Sequence, residues 1–178
     1  MKKISVAPAW LGGVFLLAMG SMPATAAQVH EPSSHGHSRG TEVASLTDEE
    51  VRLLRHGEGM GLARAAELNH FPGPKHLLDL APKLGLSDEQ IARIRAIHDR
   101  MKSEAVAKGE AIIMAEGHLA DLFASGEPTA REMTRVTGHL GAMRGQLQAI
   151  HLLAHIEAAR ELSDIQIREY DRLRGYLN

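Results

Sequence analysis

A single proline-containing break, Ser125-Gly126-Glu127-Pro128, interrupts the second half of the chain. No proline occurs between Ser87 and Ala124, or between Thr129 and Glu161. On both sides of the break, apolar residues recur at the spacings that are typical of amphipathic helices. Because two long helices joined by so short a connection must fold back on each other, the sequence predicts an antiparallel helical hairpin.

Histidines of the two predicted arms fall at matching distances from this turn. His98 lies 29 residues before Glu127, and His155 lies 28 residues after it. A rise of ~1.5 Å per residue puts the two at nearly the same height along the hairpin. His151 precedes His155 by one helical turn and shares its face. The hairpin therefore predicts that three imidazoles from distant parts of the chain become neighbours.

Four segments carry a capping box, in which Ser or Thr at the N-cap and Glu or Gln at N3 satisfy each other's backbone amides. They are Leu46-Thr47-Asp48-Glu49-Glu50, Leu86-Ser87-Asp88-Glu89-Gln90, Thr129-Ala130-Arg131-Glu132 and Leu162-Ser163-Asp164-Ile165-Gln166. In the three copies that begin with leucine, an apolar residue at N4 completes a hydrophobic staple. These segments predict where four helices begin.

Short helices are expected on both sides of the hairpin. The predicted ranges are Thr47 to about His56, Leu62 to Asn69, Lys75 to about Leu84, and a last helix that begins after Ser163. The mature chain has few aromatic residues, which disfavours a sheet fold. We therefore predict an all-α fold, a long antiparallel helical hairpin with short flanking helices. The glycine-rich run 57–61 is predicted to be a hinge, since no strand precedes it and no Lys-Ser/Thr follows it.

The N-terminus has the pattern of a secretory signal peptide, predicted to span residues 1–26. Lys2 and Lys3 precede the apolar run 11–19, and Ala24-Thr25-Ala26 supplies small residues for cleavage. The apolar run is shorter than the ~20 residues that a spanning helix needs, so no membrane span is expected after cleavage. Residues 27–45 are predicted to be a disordered, histidine-containing leader, and residues 46–178 the helical domain.

Composition excludes several classes of function. Of the 20 Lys and Arg residues, two fall in the signal peptide, so basic residues are outnumbered by the 22 acidic ones and no nucleic-acid partner is expected. The absence of cysteine excludes disulfides and thiolate metal sites. The sequence has no nucleophile elbow and no phosphate loop, so we expect no enzyme. All 11 histidines follow the predicted cleavage site.

The paired Leu-Ser-x-x-Gln motifs, the export signal and the long hairpin together resemble the Spy/CpxP superfamily of bacterial periplasmic proteins. Its hallmark is a twice-repeated Leu-Thr-x-x-Gln motif, which the chain matches with serine in place of threonine at Leu86, Ser87, Gln90, Leu162, Ser163 and Gln166. The resemblance covers residues 46–178. It implies a periplasmic, all-helical, hooked hairpin that dimerises into a curved cradle.

The resemblance also implies a metal site, because the superfamily includes heavy-metal sensor and resistance proteins. Those members bind metal through His, Glu and Met side chains on a short preceding helix and on both arms. By position relative to the two motifs, His98 aligns with an acidic metal ligand of those proteins on the first arm. His151 or His155 falls near the position of their metal ligand on the second arm. The paired histidines of the short helix are not reproduced, and only His76 lies nearby. We therefore predict a divalent transition metal (zinc, copper or nickel) at these four histidines; the alternative is ordinary histidines with water or carbonyl partners.

A second function that the resemblance implies is an ATP-independent holdase chaperone for unfolded periplasmic proteins. The expected partners are a second copy of the chain, unfolded periplasmic proteins or a membrane sensor protein. A homodimer is also expected because a hairpin alone buries little apolar surface.

Glycines inside the two long helices are unusual, because each costs ~1 kcal/mol relative to alanine. They are Gly109, Gly117, Gly138, Gly141 and Gly145. Two interpretations are open at this point. The glycines give the arms flexibility to adapt to clients, or they permit close approach of one arm to the other.

Overall fold

The computed structural model describes residues 43–176, and within this range the regular secondary structure is helical, without a strand. The helices are α1 (Asp48–Arg55), α2 (Arg64–Glu67), α3 (Pro74–Leu84), α4 (Asp88–Ala124), α5 (Ala130–Arg160) and α6 (Asp164–Arg174). The predicted all-α fold is confirmed. The predicted signal peptide and residues 27–42 of the predicted leader lie outside the described residues. None of these six helices combines the length and the apolar character that crossing a membrane requires.

Helices α4 and α5 pack against each other in antiparallel orientation. Lys108 Nζ on α4 donates to Gln146 Oε1 on α5 at 2.7 Å, and each residue lies 19 positions from Glu127. Arg93, near the start of α4, pairs with Glu161, just after α5, and each lies 34 positions from Glu127. This is the register that folding about Glu127 predicts.

Complete capping boxes begin α1, α4, α5 and α6. At each start, the Ser or Thr side chain accepts from the N3 amide, and the N3 side chain accepts from the N-cap amide. Helix α2 differs, because Ala63 at its N-cap provides no side-chain hydrogen bond. It covers four residues, Arg64–Glu67, rather than the predicted range 62–69. An uncapped segment leaves its first amides without internal partners, which limits a short helix to what tertiary packing supports.

The two glutamines of the repeated motif also bind each other. Gln90 Nε2 donates to Gln166 Oε1 at 3.0 Å, and Gln166 Nε2 donates back to Gln90 Oε1 at 3.2 Å. Gln90 Nε2 lies 2.6 Å from the backbone oxygen of Glu161 as well. The repeat therefore ties the starts of α4 and α6 to the end of α5, in addition to capping two helices.

Residues 43–45, which the sequence assigned to the predicted leader, pack against the helical domain. Val43 is buried in the apolar core that α1 forms with the two arms. Ser45 Oγ donates to Glu116 Oε2 at 2.9 Å, and Arg144 Nη2 donates to the other oxygen of this buried carboxylate at 2.6 Å. The last residues of the predicted leader are therefore packed onto the hairpin, because they satisfy a buried charge and cover apolar surface.

Close backbone approach explains one of the glycines in the long helices. A Cβ at Gly109 would lie 2.2 Å from the carbonyl oxygen of Leu54 in α1. At Gly117, Gly138, Gly141 and Gly145, a Cβ would have no neighbour within 4 Å. The close approach therefore joins α4 to α1, and the expectation of glycines packed between the two arms is wrong.

Candidate functional site

The four predicted metal ligands line one cavity of about 550 Å³. His98 comes from α4, His151 and His155 come from α5, and His76 comes from α3. The glycine-rich loop 57–61, which connects α1 to α2, forms another part of the wall. The structure therefore brings together residues that are up to 79 positions apart in the chain, from His76 to His155.

His155 has a defined tautomer. Its Nδ1 lies 2.9 Å from the backbone oxygen of Phe71. Because a carbonyl oxygen can only accept, Nδ1 carries the proton and the neutral ring has its lone pair on Nε2. A Cβ at Gly73 would lie 3.0 Å from this Nε2 and 2.8 Å from Cε1. The missing side chain at Gly73 therefore leaves space beside the free nitrogen.

His151 is more deeply buried and has an unsatisfied nitrogen. Its relative exposure is 3 %, and its Nε2 is buried without a hydrogen-bond partner. On the other side of the ring, Nδ1 lies 4.0 Å from the position of a Cβ at Gly59 in the glycine-rich loop. A buried polar atom without a partner is costly and uncommon in folded proteins. An ion or a water molecule that reached this nitrogen would satisfy it.

Burial keeps both imidazoles on α5 uncharged. Burial lowers the pKa of His151, the repulsion that would arise if His151 and His155 were both protonated lowers it further, and Glu58 partly offsets the shift. Burial also lowers the pKa of His155, opposed by its hydrogen bond to Phe71 and by the charge of Glu67. Both rings are therefore neutral at pH 7. This is the form in which histidine binds a metal ion.

These shifts predict that the metal-free domain loses stability as the pH falls below about 6.5, the ordinary pKa of histidine. Below that value the unfolded chain takes up protons that folded His151 and His155 do not, so protonation favours unfolding. Urea unfolding with chelator present, at about pH 7.5 and about pH 5.5, measures the change in free energy of unfolding. In the variant His151→Gln/His155→Gln, the free energy of unfolding should fall less between the two pH values. An equal fall would show that His151 and His155 do not cause the pH dependence.

The other two histidines have carboxylate partners. His98 Nδ1 lies 3.0 Å from Asp99 Oδ1, and His76 Nδ1 lies 2.8 Å from Glu67 Oε1. A carboxylate that accepts from Nδ1 leaves the Nε2 lone pair available on the neutral ring. Together with His155, three of the four imidazoles are oriented through Nδ1 by an oxygen acceptor. Metal-binding histidines are usually held in this way.

Glu67 belongs to the site, and sequence reasoning missed it. Its Oε1 accepts from His76, and its Oε2 accepts from the Tyr176 hydroxyl at 3.0 Å. Burial alone would raise the pKa of Glu67, but the hydrogen bonds from Tyr176 and His76 and the nearby positive charges outweigh it and lower the pKa. Glu67 Oε1 also lies 3.6 Å from the Cβ position at Gly73, in the space beside His155. Its partner Tyr176 is 109 residues away, so no local pattern could identify this carboxylate.

The donor set fits a transition metal, although its atoms do not converge. Four imidazoles, the carboxylates of Glu58 and Glu67, and the methionines Met60 and Met101 line the cavity. Imidazole, carboxylate and thioether groups are donors that zinc, copper and nickel accept. Within residues 43–176, no group of three His, Asp or Glu side chains stands close enough to hold a common ion. Binding therefore requires some of these side chains to move closer together.

Comparison with known proteins gives no match to a family model, to a curated protein or to a solved structure. The Spy/CpxP resemblance accordingly stays a prediction from the motifs and the order of the helices.

Proposed function

We propose that this protein is a periplasmic, metal-responsive protein of the heavy-metal sensor or resistance type. It binds a divalent transition metal (zinc, copper or nickel) through His98, His151, His155 and His76. The observation that supports this most strongly is that all four predicted ligands line one cavity. The proposal includes export to the periplasm and a homodimer of the Spy/CpxP kind.

The position of the cavity suggests how an ion changes the protein. The four histidines come from α3, α4 and α5, so an ion bound to all of them links three helices. Such an ion stabilises the conformation in which its ligands converge and shifts the population toward it. At a concentration of 100 times the dissociation constant, a ligand that binds only the folded state adds about 2.7 kcal/mol to its stability. The bound metal would hold α3, α4 and α5 together, and its release would make the two arms of the hairpin less tightly held.

Calorimetric titration of the mature chain with zinc, copper and nickel salts tests this proposal. We expect one saturable site and a higher melting temperature with metal. His98→Ala/His155→Ala should abolish both the binding heat and the thermal shift. A matched control is His118→Ala/His139→Ala, which removes one exposed histidine from each arm outside the cavity. Retained binding in the first double variant, or equal losses in both, would overturn the proposal.

A second candidate function, the ATP-independent holdase, is favoured by apolar side chains left exposed on the hairpin and α6. Met114 is 70 % exposed, Phe123 60 %, Leu153 56 % and Ile165 72 %. Scattered apolar exposure is common in soluble proteins, so these residues support the holdase less strongly than the cavity supports metal binding. Suppression of aggregation of a heat-unfolded client, equal with and without chelator, would support it. Unimpeded aggregation at a molar excess of this protein would exclude it.

A further inference from the structure

Two methionines, Met60 and Met101, line the cavity together with the four histidines. Met101 lies on α4 three residues after His98, so both side chains project from the same side of the helix into the cavity wall. Met60 comes from the middle of the glycine-rich loop 57–61. The sequence alone predicted a simple hinge at this loop. Because Met60 lines the cavity, the loop also forms part of the candidate metal site.

The loop is fixed against α4 rather than free. Gly57 has φ +56°, and a Cβ there would lie 3.1 Å from both Lys102 O and Ala105 Cβ. The next residue, Glu58, pairs with Lys102 Nζ at 3.7 Å. Together these contacts hold the start of the loop against α4 at Lys102 and Ala105, one to four residues after Met101.

Met60 has a backbone conformation that is unfavourable for its residue type. Its φ is +48°, in the left-handed region that side chains other than those of Gly, Asn and Asp rarely adopt. Such conformations persist where the surrounding structure enforces them, and they cluster at ligand sites. The side chain of Met60 is also 40 % exposed, so the need for a buried apolar side chain does not explain why methionine occupies this position. Met60 therefore combines a constrained backbone with a position on the cavity wall.

Thioether sulfur discriminates between metal ions. It is a soft ligand that selects monovalent copper, whereas zinc prefers imidazole, thiolate and carboxylate. We propose that the cavity also takes Cu⁺, bound by the sulfur atoms of Met60 and Met101 together with imidazole nitrogen. This inference rests on the proposed function in that it assigns the same histidines to metal binding. It adds that the loop 57–61 delivers the residue that sets the preference for copper.

Competition with a chromogenic Cu⁺ chelator under anaerobic, reducing conditions tests the proposal on the mature chain. Met60→Leu and Met101→Leu remove the sulfur and retain an apolar side chain of similar volume. Each should weaken Cu⁺ binding by at least about tenfold, as loss of a ligand contact does in other metal sites. Zinc affinity, measured by calorimetry on the same variants, should change less than twofold. The matched control is Met114→Leu, which removes an exposed sulfur on α4 outside the cavity and should change neither affinity.

The outcomes separate this inference from the proposed function. If Met60→Leu and Met101→Leu both leave the Cu⁺ affinity unchanged, the methionines are not ligands. If His98→Ala/His155→Ala still abolishes metal binding in that case, the proposed histidine site is unaffected. Equal losses of zinc and Cu⁺ affinity in the methionine variants would also overturn the role of sulfur, because the selectivity would then be absent. Failure of the unaltered chain to bind any of these ions would contradict both proposals. Copper X-ray absorption should show sulfur neighbours that disappear in Met60→Leu/Met101→Leu.

Discussion

Gly73→Ala is expected to weaken transition-metal binding by at least about tenfold while the helices stay folded. Gly73 has φ −77° and ψ 140°, which alanine adopts without strain. The added methyl group would lie 2.8 Å from Cε1 of His155, closer than carbon atoms normally approach, and 3.0 Å from Nε2, a tight contact. The imidazole must shift to relieve the contact with Cε1, which displaces Nε2, the coordinating nitrogen, and disturbs the hydrogen bond to Phe71.

Gly59→Ala is the matched control for this prediction. A Cβ at Gly59 would lie 4.0 Å from His151 Nδ1, which is an ordinary contact. Both substitutions add one methyl group to the wall of the same cavity, so they differ mainly in whether the methyl group collides with an imidazole. Calorimetry with zinc measures both affinities, and circular dichroism checks the helical content. If Gly73→Ala binds zinc as tightly as Gly59→Ala does, Nε2 of His155 is not a ligand.

Gly109→Ala is expected to lower the free energy of unfolding by about 1–3 kcal/mol, the usual cost of overpacking. A Cβ at this position would lie 2.2 Å from the carbonyl oxygen and 2.7 Å from the carbonyl carbon of Leu54. Backbone atoms cannot rotate out of the way as a side chain can, so α1 must move off α4. Leu54, which is 2 % exposed, would then lose part of its packing.

The same substitution at Gly117 should have the opposite sign. Gly117 lies on the same helix, and a Cβ there meets nothing within 4 Å. Alanine should therefore stabilise α4 by about 1 kcal/mol through helix propensity alone. Urea unfolding of the two variants gives both values under one set of conditions. Stabilisation by both substitutions would show that α1 does not pack against α4 at this point.

Local chemistry was sufficient to predict most of the fold. Ser87, Thr129 and Ser163 begin their helices where predicted, because a capping box uses atoms within four residues of each other. The turn at Glu127 then sets which residues of the arms lie at one height, and this geometry put His98 near His151 and His155. In contrast, the extent of α2 depends on packing against α5 and not on its own caps, so its predicted ends were wrong by two residues on each side.

The remaining parts of the site depend on contacts that no local pattern contains. Glu67 enters the cavity region through hydrogen bonds to His76 and Tyr176, and the second of these spans 109 residues. The orientation of His155 depends on a backbone oxygen in the α2–α3 connection. Met60 acquires its role because Gly57 and Glu58 anchor the loop to α4. Each of these contacts follows from tertiary packing, so the sequence could indicate the histidines without the groups that orient them.

Zinc X-ray absorption spectroscopy on the metal-loaded protein shows directly whether histidines hold the ion. Metal binding by the four histidines predicts a first shell dominated by imidazole nitrogen, with the multiple-scattering pattern of bound histidine. That pattern should be lost in His98→Ala/His155→Ala and retained in His118→Ala/His139→Ala. A first shell of water and carboxylate oxygen, or an imidazole contribution that survives in His98→Ala/His155→Ala, would contradict it.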